Sequence, residues 1–575
     1  MATTPSDSNS TRKPLRLWPA VILVALQWLA WFVLPLLSPR ASVIGPLVGL
    51  ICALLLLIWW LIFSRAPWVE RIGALLLIVV GLVGAKRLAH ESIAGGMMGM
   101  LIYVLSVPIF CLLLVLWAVL TRRFATAPRR LALLGAVAFG CCLFLLIRTG
   151  GLTAEFDNDV HWRWSTTPEQ RLLAQGIEEP ASTANANAPA SNAETGWSGF
   201  RGSQRDGIVH GVKIKTDWSA SPPQQLWRRP VGPGWSSFAA QNGRLYTQEQ
   251  RGEEEIVACH DLETGKPVWR HQDRARFWES NGGAGPRATP TLSNGRVYTQ
   301  GATGIVNVLD ATTGEIVWTR NAVTDTGATV PAWGIAGSPL VVNDLLIVAA
   351  SGSLVAYDLT TGTPRWSVPS DASGYSSPQY STINGIPQIL LLQSKGLASV
   401  AATDGKVLWQ HEWPGMPIVQ PAVAPGGDLL ISVSDSSGLR RLAVAQGSGG
   451  WTTQERWTTE DLNPWFNDFV VHKGHAFGFD GSSLVCVNLE DGKLKWKGKR
   501  YGYGQIVLLP DQDILIVLSE KGELALAKAT TDQFTELASL PALEGKTWNH
   551  PVLVGDILLV RNDREMAAYR LKLEP

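Results

Sequence analysis

The chain has 575 residues, 46% of them hydrophobic and 17% charged, with a net charge of +1 and six cysteines. It is long enough for more than one domain. It has no basic surplus to hold nucleic acid or another polyanion, and too few cysteines for a disulfide framework.

Residues 1–16 read as a polar, disordered cytoplasmic tail. Five apolar segments follow, at 17–37, 43–63, 72–85, 97–120 and 131–147, and define a transmembrane region over 17–148. A hydrocarbon core takes about 20 residues to cross. The third segment has only 14 uncharged residues, but charge placement makes it cross. Arg12, Lys13 and Arg16, then Arg65 and Arg71, then Arg122, Arg123, Arg129 and Arg130 all fall on the cytoplasmic side only with five spans. That arrangement predicts a multi-pass protein of the inner membrane, with its N-terminus inside and its C-terminal part outside. The 21-residue length of the first segment and the spans after it argue against a cleaved signal peptide. With no Asp, Glu and Lys pair inside the segments, the bundle reads as an anchor, and Trp59 and Trp60 as an interface belt. Cys52, Cys111, Cys141 and Cys142 fall in these segments as packing residues.

Residues 149–196 form a juxtamembrane stretch and a linker. His161-Trp-Arg-Trp164 suits the lipid headgroups, and Thr166-Thr-Pro-Glu-Gln170 reads as a helix start. The Ala-, Asn- and Ser-rich run 180–194 is a flexible linker. A globular domain spans 197–575.

That domain repeats one phrase: His260-Asp-Leu-Glu-Thr-Gly-Lys-Pro-Val-Trp269, Leu309-Asp-Ala-Thr-Thr-Gly-Glu-Ile-Val-Trp318, Tyr357-Asp-Leu-Thr-Thr-Gly-Thr-Pro-Arg-Trp366, then copies ending at Trp409 and Trp496. Gly265, Gly314, Gly362, Gly405 and Gly492 each stand four residues before the tryptophan. The phrase is a strand, a tight turn whose glycine supplies positive φ, and a second strand ending in Trp. A second hairpin precedes it, as around Asn294-Gly295, which makes the four strands of a propeller blade. Polar openers count the blades: Ser237, Thr289, Ser338, Ser377, Gln420, Asp468, Gln505 and His550, at steps of 37 to 52 residues. The expected fold is therefore all-β, an eight-bladed propeller, behind a five-span α-helical anchor. Trp457 serves the fifth blade and Phe534 takes the tryptophan place in the seventh. The outer strand of the eighth is 225–230, carrying Trp227 from the other end of the domain, which leaves no open edge. Cys259 and Cys486, equivalent positions in blades one and six, are expected to be two free buried thiols.

The repeated Asp-x-x-Thr-Gly-x-x-x-Trp resembles the tryptophan docking motif of the PQQ-like β-propeller repeat family, over roughly 197–570. The entry sequence Trp197–Gly207, Phe466-Asn-Asp-Phe-Val470, Arg500-Tyr-Gly-Tyr-Gly-Gln505 and Gly545-Lys-Thr-Trp-Asn-His-Pro551 resemble stretches of membrane-anchored bacterial members. The resemblance implies either of two functions. One is a non-enzymatic binding or scaffolding propeller of the cell envelope, as in the lipoprotein of the outer-membrane assembly machine, with protein or peptide partners. The other is a quinoprotein dehydrogenase that oxidises a sugar or alcohol with PQQ and Ca²⁺ and passes electrons to membrane quinone. The adjacent cysteines of many alcohol-oxidising members have no counterpart, because Cys141-Cys142 lies in a membrane segment. No Glu, Asn and Asp set matches their metal ligands, so the first reading is preferred, with no cofactor assigned.

Any ligand is expected at the channel mouth, where the eight openers converge beside Trp235, Arg287, Trp333, Tyr375, Asn467, Tyr501, Tyr503, Trp548 and Asn549. The plain alternative for these side chains is to cap strand ends and bond the backbone of neighbouring blades. No residue is assigned a catalytic or zinc-binding role.

Overall fold

The computed structural model describes residues 17–37, 41–153, 158–176, 196–434 and 437–574. The predicted tail and the linker 180–194 lie outside the described residues. Contacts divide the chain into two units, Met1–Ser165 and Thr166–Pro575.

In the first unit four helices are long and apolar enough to cross a membrane: Ile44–Phe63, Trp68–Leu88, Leu101–Leu120 and Thr126–Leu145. A shorter apolar helix covers Trp18–Val33. The third segment is longer than its uncharged stretch because the helix takes in charge at both ends. Arg71 Nε donates to the Ala66 carbonyl at 2.7 Å, and Lys86 Nζ donates to that of Gly99 at 2.7 Å. The bundle holds one pair that was not expected, and one expectation fails. Glu70 and Arg129, each just outside the apolar segments, form a buried ion pair at 3.3 Å between the third and fifth helices. Trp59 and Trp60 are not a belt but are buried within the bundle. The Trp60 indole donates to the Arg71 carbonyl at 3.1 Å and meets Trp117 edge-on at 5.9 Å. The helices are followed by a hairpin, Ile147–Leu152 with Asn158–Trp162. Beyond it the rings of Trp162 and Trp164 stack at 5.3 Å, both exposed.

The second unit opens on the helix Pro168–Ala174, started by a Thr167–Gln170 capping box as its sequence predicts. Eight four-stranded antiparallel sheets follow. Each inner strand begins two residues after its polar opener, except in blade 7, where Gln505 is the first strand residue. The eighth sheet closes as expected, with Gln224–Pro230 pairing along Glu565–Arg570. Cys259 and Cys486 are free and buried.

The Gly–Trp spacing has a packing cause beyond the turn. The tryptophan of one blade lies on the glycine of the next. A Cβ added at Gly265, Gly314, Gly362, Gly405 or Gly492 would stand 2.5–2.9 Å from the ring of Trp227, Trp269, Trp318, Trp366 or Trp457 respectively. Four of these indoles also donate to a carbonyl of the seat: Trp227 to Leu262, Trp269 to Ala311, Trp318 to Leu359 and Trp457 to Leu489, at 2.9–3.2 Å. Strand pairing shows that the outer strand does not end in Trp but continues past it. Phe534 does not take the tryptophan place in blade 7. Ala538 occupies that register opposite Leu526, while Phe534 sits in the preceding turn against Trp496 at 5.7 Å. The reason is at hand. Blade 8 draws its outer strand from the far end of the domain, so it has no third-to-outer turn on which a tryptophan could seat.

Two substitutions separate turn strain from seat loss. Gly362→Ala and Gly295→Ala both force an L-residue to φ near +70°, but only the first meets a ring, at 2.6 Å. Gly295→Ala should cost about 1–2 kcal/mol, and Gly362→Ala about 1–3 kcal/mol more, read from thermal melts. In the bundle, Glu70→Ala strands Arg129 and should cost about 3–5 kcal/mol, most of it recovered by adding Arg129→Leu. Equal losses for the single and double variants would contradict the pairing.

Candidate functional site

The eight openers converge, and all are buried. Five bonds link neighbouring openers around the ring, because a strand-opening N–H needs an acceptor once water is excluded. Ser237 N donates to Thr289 Oγ1 at 3.0 Å, Thr289 N to Ser338 Oγ at 3.0 Å, and Ser338 N to Ser377 Oγ at 2.9 Å. Gln420 N donates to Asp468 Oδ1 at 2.9 Å, and Ser237 Oγ joins blade 1 to blade 8 on the His550 carbonyl at 2.6 Å. Strand-end bonding between blades, the plainer expectation for these residues, is thus how most of them are used.

At the centre of the ring stands a group that sequence reasoning missed. The segment after residue 196 runs across the inner strands. Trp197 exchanges backbone bonds with Ala240 at 2.8 Å, and Gly207 and Val209 bracket Leu508 at 2.9 Å. This course delivers two buried arginines into the channel. Arg201 pairs with Asp468 at 3.5 Å and donates to the Phe469 carbonyl at 2.6 Å. Arg205 donates to the carbonyls of Pro339 at 2.8 Å and Ser338 at 3.2 Å, and burial pushes its pKa down to about 10. His550 stands 3.6 Å from Asp468, with its ring edge-on to Phe200 at 5.0 Å. Burial favours a protonated Asp468, but the charges of Arg201 and His550 prevail and hold its pKa below the usual carboxylate value. Burial also lowers the pKa of His550, which outweighs the pull of Asp468.

Above the ring the lead-in residues form an aromatic roof. Trp235 meets Trp548 at 4.7 Å, Trp548 meets Phe466 at 4.8 Å, and Phe466 meets Tyr503 at 5.1 Å. Trp333 touches Tyr375 at 5.0 Å and reaches from blade 3 to Trp465 of blade 6 at 6.2 Å. These rings are half-buried. Lys546 Nζ lies 4.2 Å from the Trp548 ring and donates to the Asn281 carbonyl. Glu520 accepts from the Trp548 indole at 2.7 Å. Asn467 and Asn549 lie buried beside the roof. Arg287 supports it from one side, donating to the Gly283 carbonyl of its own loop at 2.9 Å and to the carbonyl of the roof residue Trp333 at 3.1 Å. Tyr501 does not join it, because its hydroxyl donates to Glu536 on an outer strand. Trp465, Phe466, Lys546 and Glu520 were missed, although the first three sit beside residues that were named.

A family model described as outer membrane protein assembly factor BamB matches residues 219–387, 302–534 and 393–572. Outer membrane protein assembly factor BamB of Yersinia pestis is 23% identical over 330 residues, covering 55% of this chain and 72% of that protein. Quinohemoprotein alcohol dehydrogenase ADH-IIG of Pseudomonas putida is 26% identical over 266 residues, covering 44% of this chain and 31% of that protein. The solved structure of the dehydrogenase ADHIIG from Pseudomonas putida HK5 superposes with a TM-score of 0.50 at 13% identity. It covers 69% of this chain and 84% of that one. The likeness is one of fold.

A histidine with a lowered folded pKa leaves the unfolded chain binding more protons, so its stability is complete above the unfolded value of about 6.5 and lost as pH falls below it. Melting temperature should therefore drop between about pH 7 and 5, and His550→Gln should flatten part of that slope. His260, pushed down to about 4 by burial, acts in the same direction. Glu255, raised to about 7 by burial, acts in the opposite one. An unchanged slope in His550→Gln would contradict the assignment.

Proposed function

This chain belongs to the family of the outer membrane protein assembly factor BamB, and from that premise we propose that it is a membrane-anchored binding scaffold of the cell envelope. The proposal places the bundle in the inner membrane with the N-terminus cytoplasmic, because three basic clusters then face inward. The propeller then stands outside, offering a rigid ring of turns to protein or peptide partners.

The observation that carries this reading is the buried Arg201–Asp468 pair at the channel centre. A quinone enzyme of this fold needs a divalent cation held by hard oxygens. Here the one acidic opener already accepts from Gln420 and pairs with a guanidinium, and a second guanidinium, Arg205, is buried nearby. Of the carboxylates near the roof, Glu520 accepts from the Trp548 indole and Glu279 from the backbone of Asn281 and Gly282. Among the described residues no three His, Cys, Asp or Glu side chains group for a metal. The residues present do not fit PQQ with Ca²⁺.

The test is a titration of the full chain in detergent with PQQ plus Ca²⁺, following cofactor absorbance and melting temperature. No saturable change in either is expected. A ligand that binds the fold at 100 times its Kd stabilises it by about 2.7 kcal/mol. A saturable spectral shift accompanied by such a rise would overturn the scaffold reading in favour of a quinoprotein dehydrogenase.

A further inference from the structure

Beside the aromatic roof lies a layer of side-chain amides, each held one way round by backbone. Gln505 Nε2 donates to the Trp548 carbonyl at 3.0 Å, and Asn549 Nδ2 to that of Ser236 at 2.7 Å. Gln420 Nε2 donates to the Ile418 carbonyl at 3.3 Å, and Asn467 Oδ1 accepts from Trp465 N at 2.9 Å. The other end of every amide is unmet. Gln420 Oε1, Asn467 Nδ2, Gln505 Oε1 and Asn549 Oδ1 have no hydrogen-bond partner among the described residues. All four residues are at most 3% exposed. A buried polar atom without a partner costs about 1–3 kcal/mol, and native interiors keep few of them. Here four fall on four consecutive blades, 5 to 8, and three of the amides bond the backbone of roof residues or their neighbours.

We propose that this layer is the floor of a saccharide site, shut in this structure by the aromatic roof. The chemistry narrows the guest. Three of the four unmet amide atoms are acceptors, while Asn467 Nδ2, and Arg201 Nε, Arg205 Nε and His550 Nε2 beside the layer, are unmet nitrogens, so the guest must offer donors and acceptors together, as hydroxyl groups do. The buried guanidiniums of Arg201 and Arg205 disfavour an ammonium. A neutral ring bearing several hydroxyls offers donors to the three oxygens and an acceptor to Asn467 Nδ2. Its C–H faces lie against indoles such as Trp548 and Trp333. The Trp333–Trp465 contact reaches between blades 3 and 6, and it is the one that parts to admit the sugar. The proposal rests on the reading of the propeller as a binding module, since the sugar is held and not oxidised.

The test uses the full chain in nanodiscs and follows indole fluorescence during titration with maltotriose, cellotriose and tri-N-acetylchitotriose. At least one should give a saturable change with half-saturation at about 0.01–1 mM. The Gln505→Leu/Asn549→Leu double variant should weaken it by about tenfold or more. Trp465→Leu, which alters only the roof, should shift the fluorescence response even if the double variant fails to fold. No saturable signal from any of the three sugars up to about 10 mM overturns the proposal. So does binding undiminished in both variants, or a signal from a proline-rich peptide that the sugars do not give, which would assign the roof to a protein partner. Dye reduction by the sugar-bound chain with PQQ and Ca²⁺ would leave the sugar site standing and remove the binding-module reading instead.

Discussion

The indole of one blade resting on the glycine turn of the next is the contact on which the propeller depends. A four-stranded sheet cannot bury both faces alone, and here each blade is registered against its neighbour through one ring and one missing side chain. The positive φ of Gly265 and its counterparts is needed by the turn, and the absent Cβ is needed by the ring, so two independent demands fall on one residue. Where the seat is lost the ring changes partner. Trp409 of blade 4 faces the long hairpin Leu439–Gly447 with Gly450–Thr459, and its indole donates to Gln388 of its own blade at 2.8 Å. Trp227, brought in from the start of the domain, seats on blade 1 and carries the pattern across the joint between the chain's two ends.

Blade number, strand order, the closing strand and the converging openers were all legible in the sequence, because each follows from a short-range period. Local chemistry also gave the Asn294-Gly295 turn and the Thr167 helix start. Interactions without a period were hidden. Arg201 and the Phe469 carbonyl that it caps are 268 residues apart, and nothing in either neighbourhood announces the other. Tyr501 lies two residues from Tyr503, yet its hydroxyl bonds Glu536 on an outer strand, a choice made by the rotamer and not by the spacing. Glu70 was passed over and Arg129 was read only as one of a cytoplasmic cluster, because each stands at a helix end, where a charge is ordinarily solvated. Trp59 and Trp60 have the composition of a belt, and the helices packed around them determine that they are interior.

The channel links fold to function. Ring closure directs most openers onto neighbouring backbone, and the segment after residue 196 fills the remaining space with arginine. An eight-bladed propeller whose axis is filled by its own chain has its turns and its roof left for recognition. A ligand on the axis itself would have to displace that segment. A repeat match identifies the architecture, and the residues on the axis have to be consulted for the chemistry.

Hydrogen exchange of the backbone amides along the channel segment tests the central claim most directly. The amides of Trp197 and Val209, with their partners at Ala240 and Leu508, carry backbone bonds that belong to the folded ring. If the chain fills its own axis, these amides should be protected to the same degree as the inner strands they pair with. Fast exchange of the 197–209 segment beside slow exchange in the blades would mean that the axis is open. The account of a scaffold closed upon its own arginines would then be wrong.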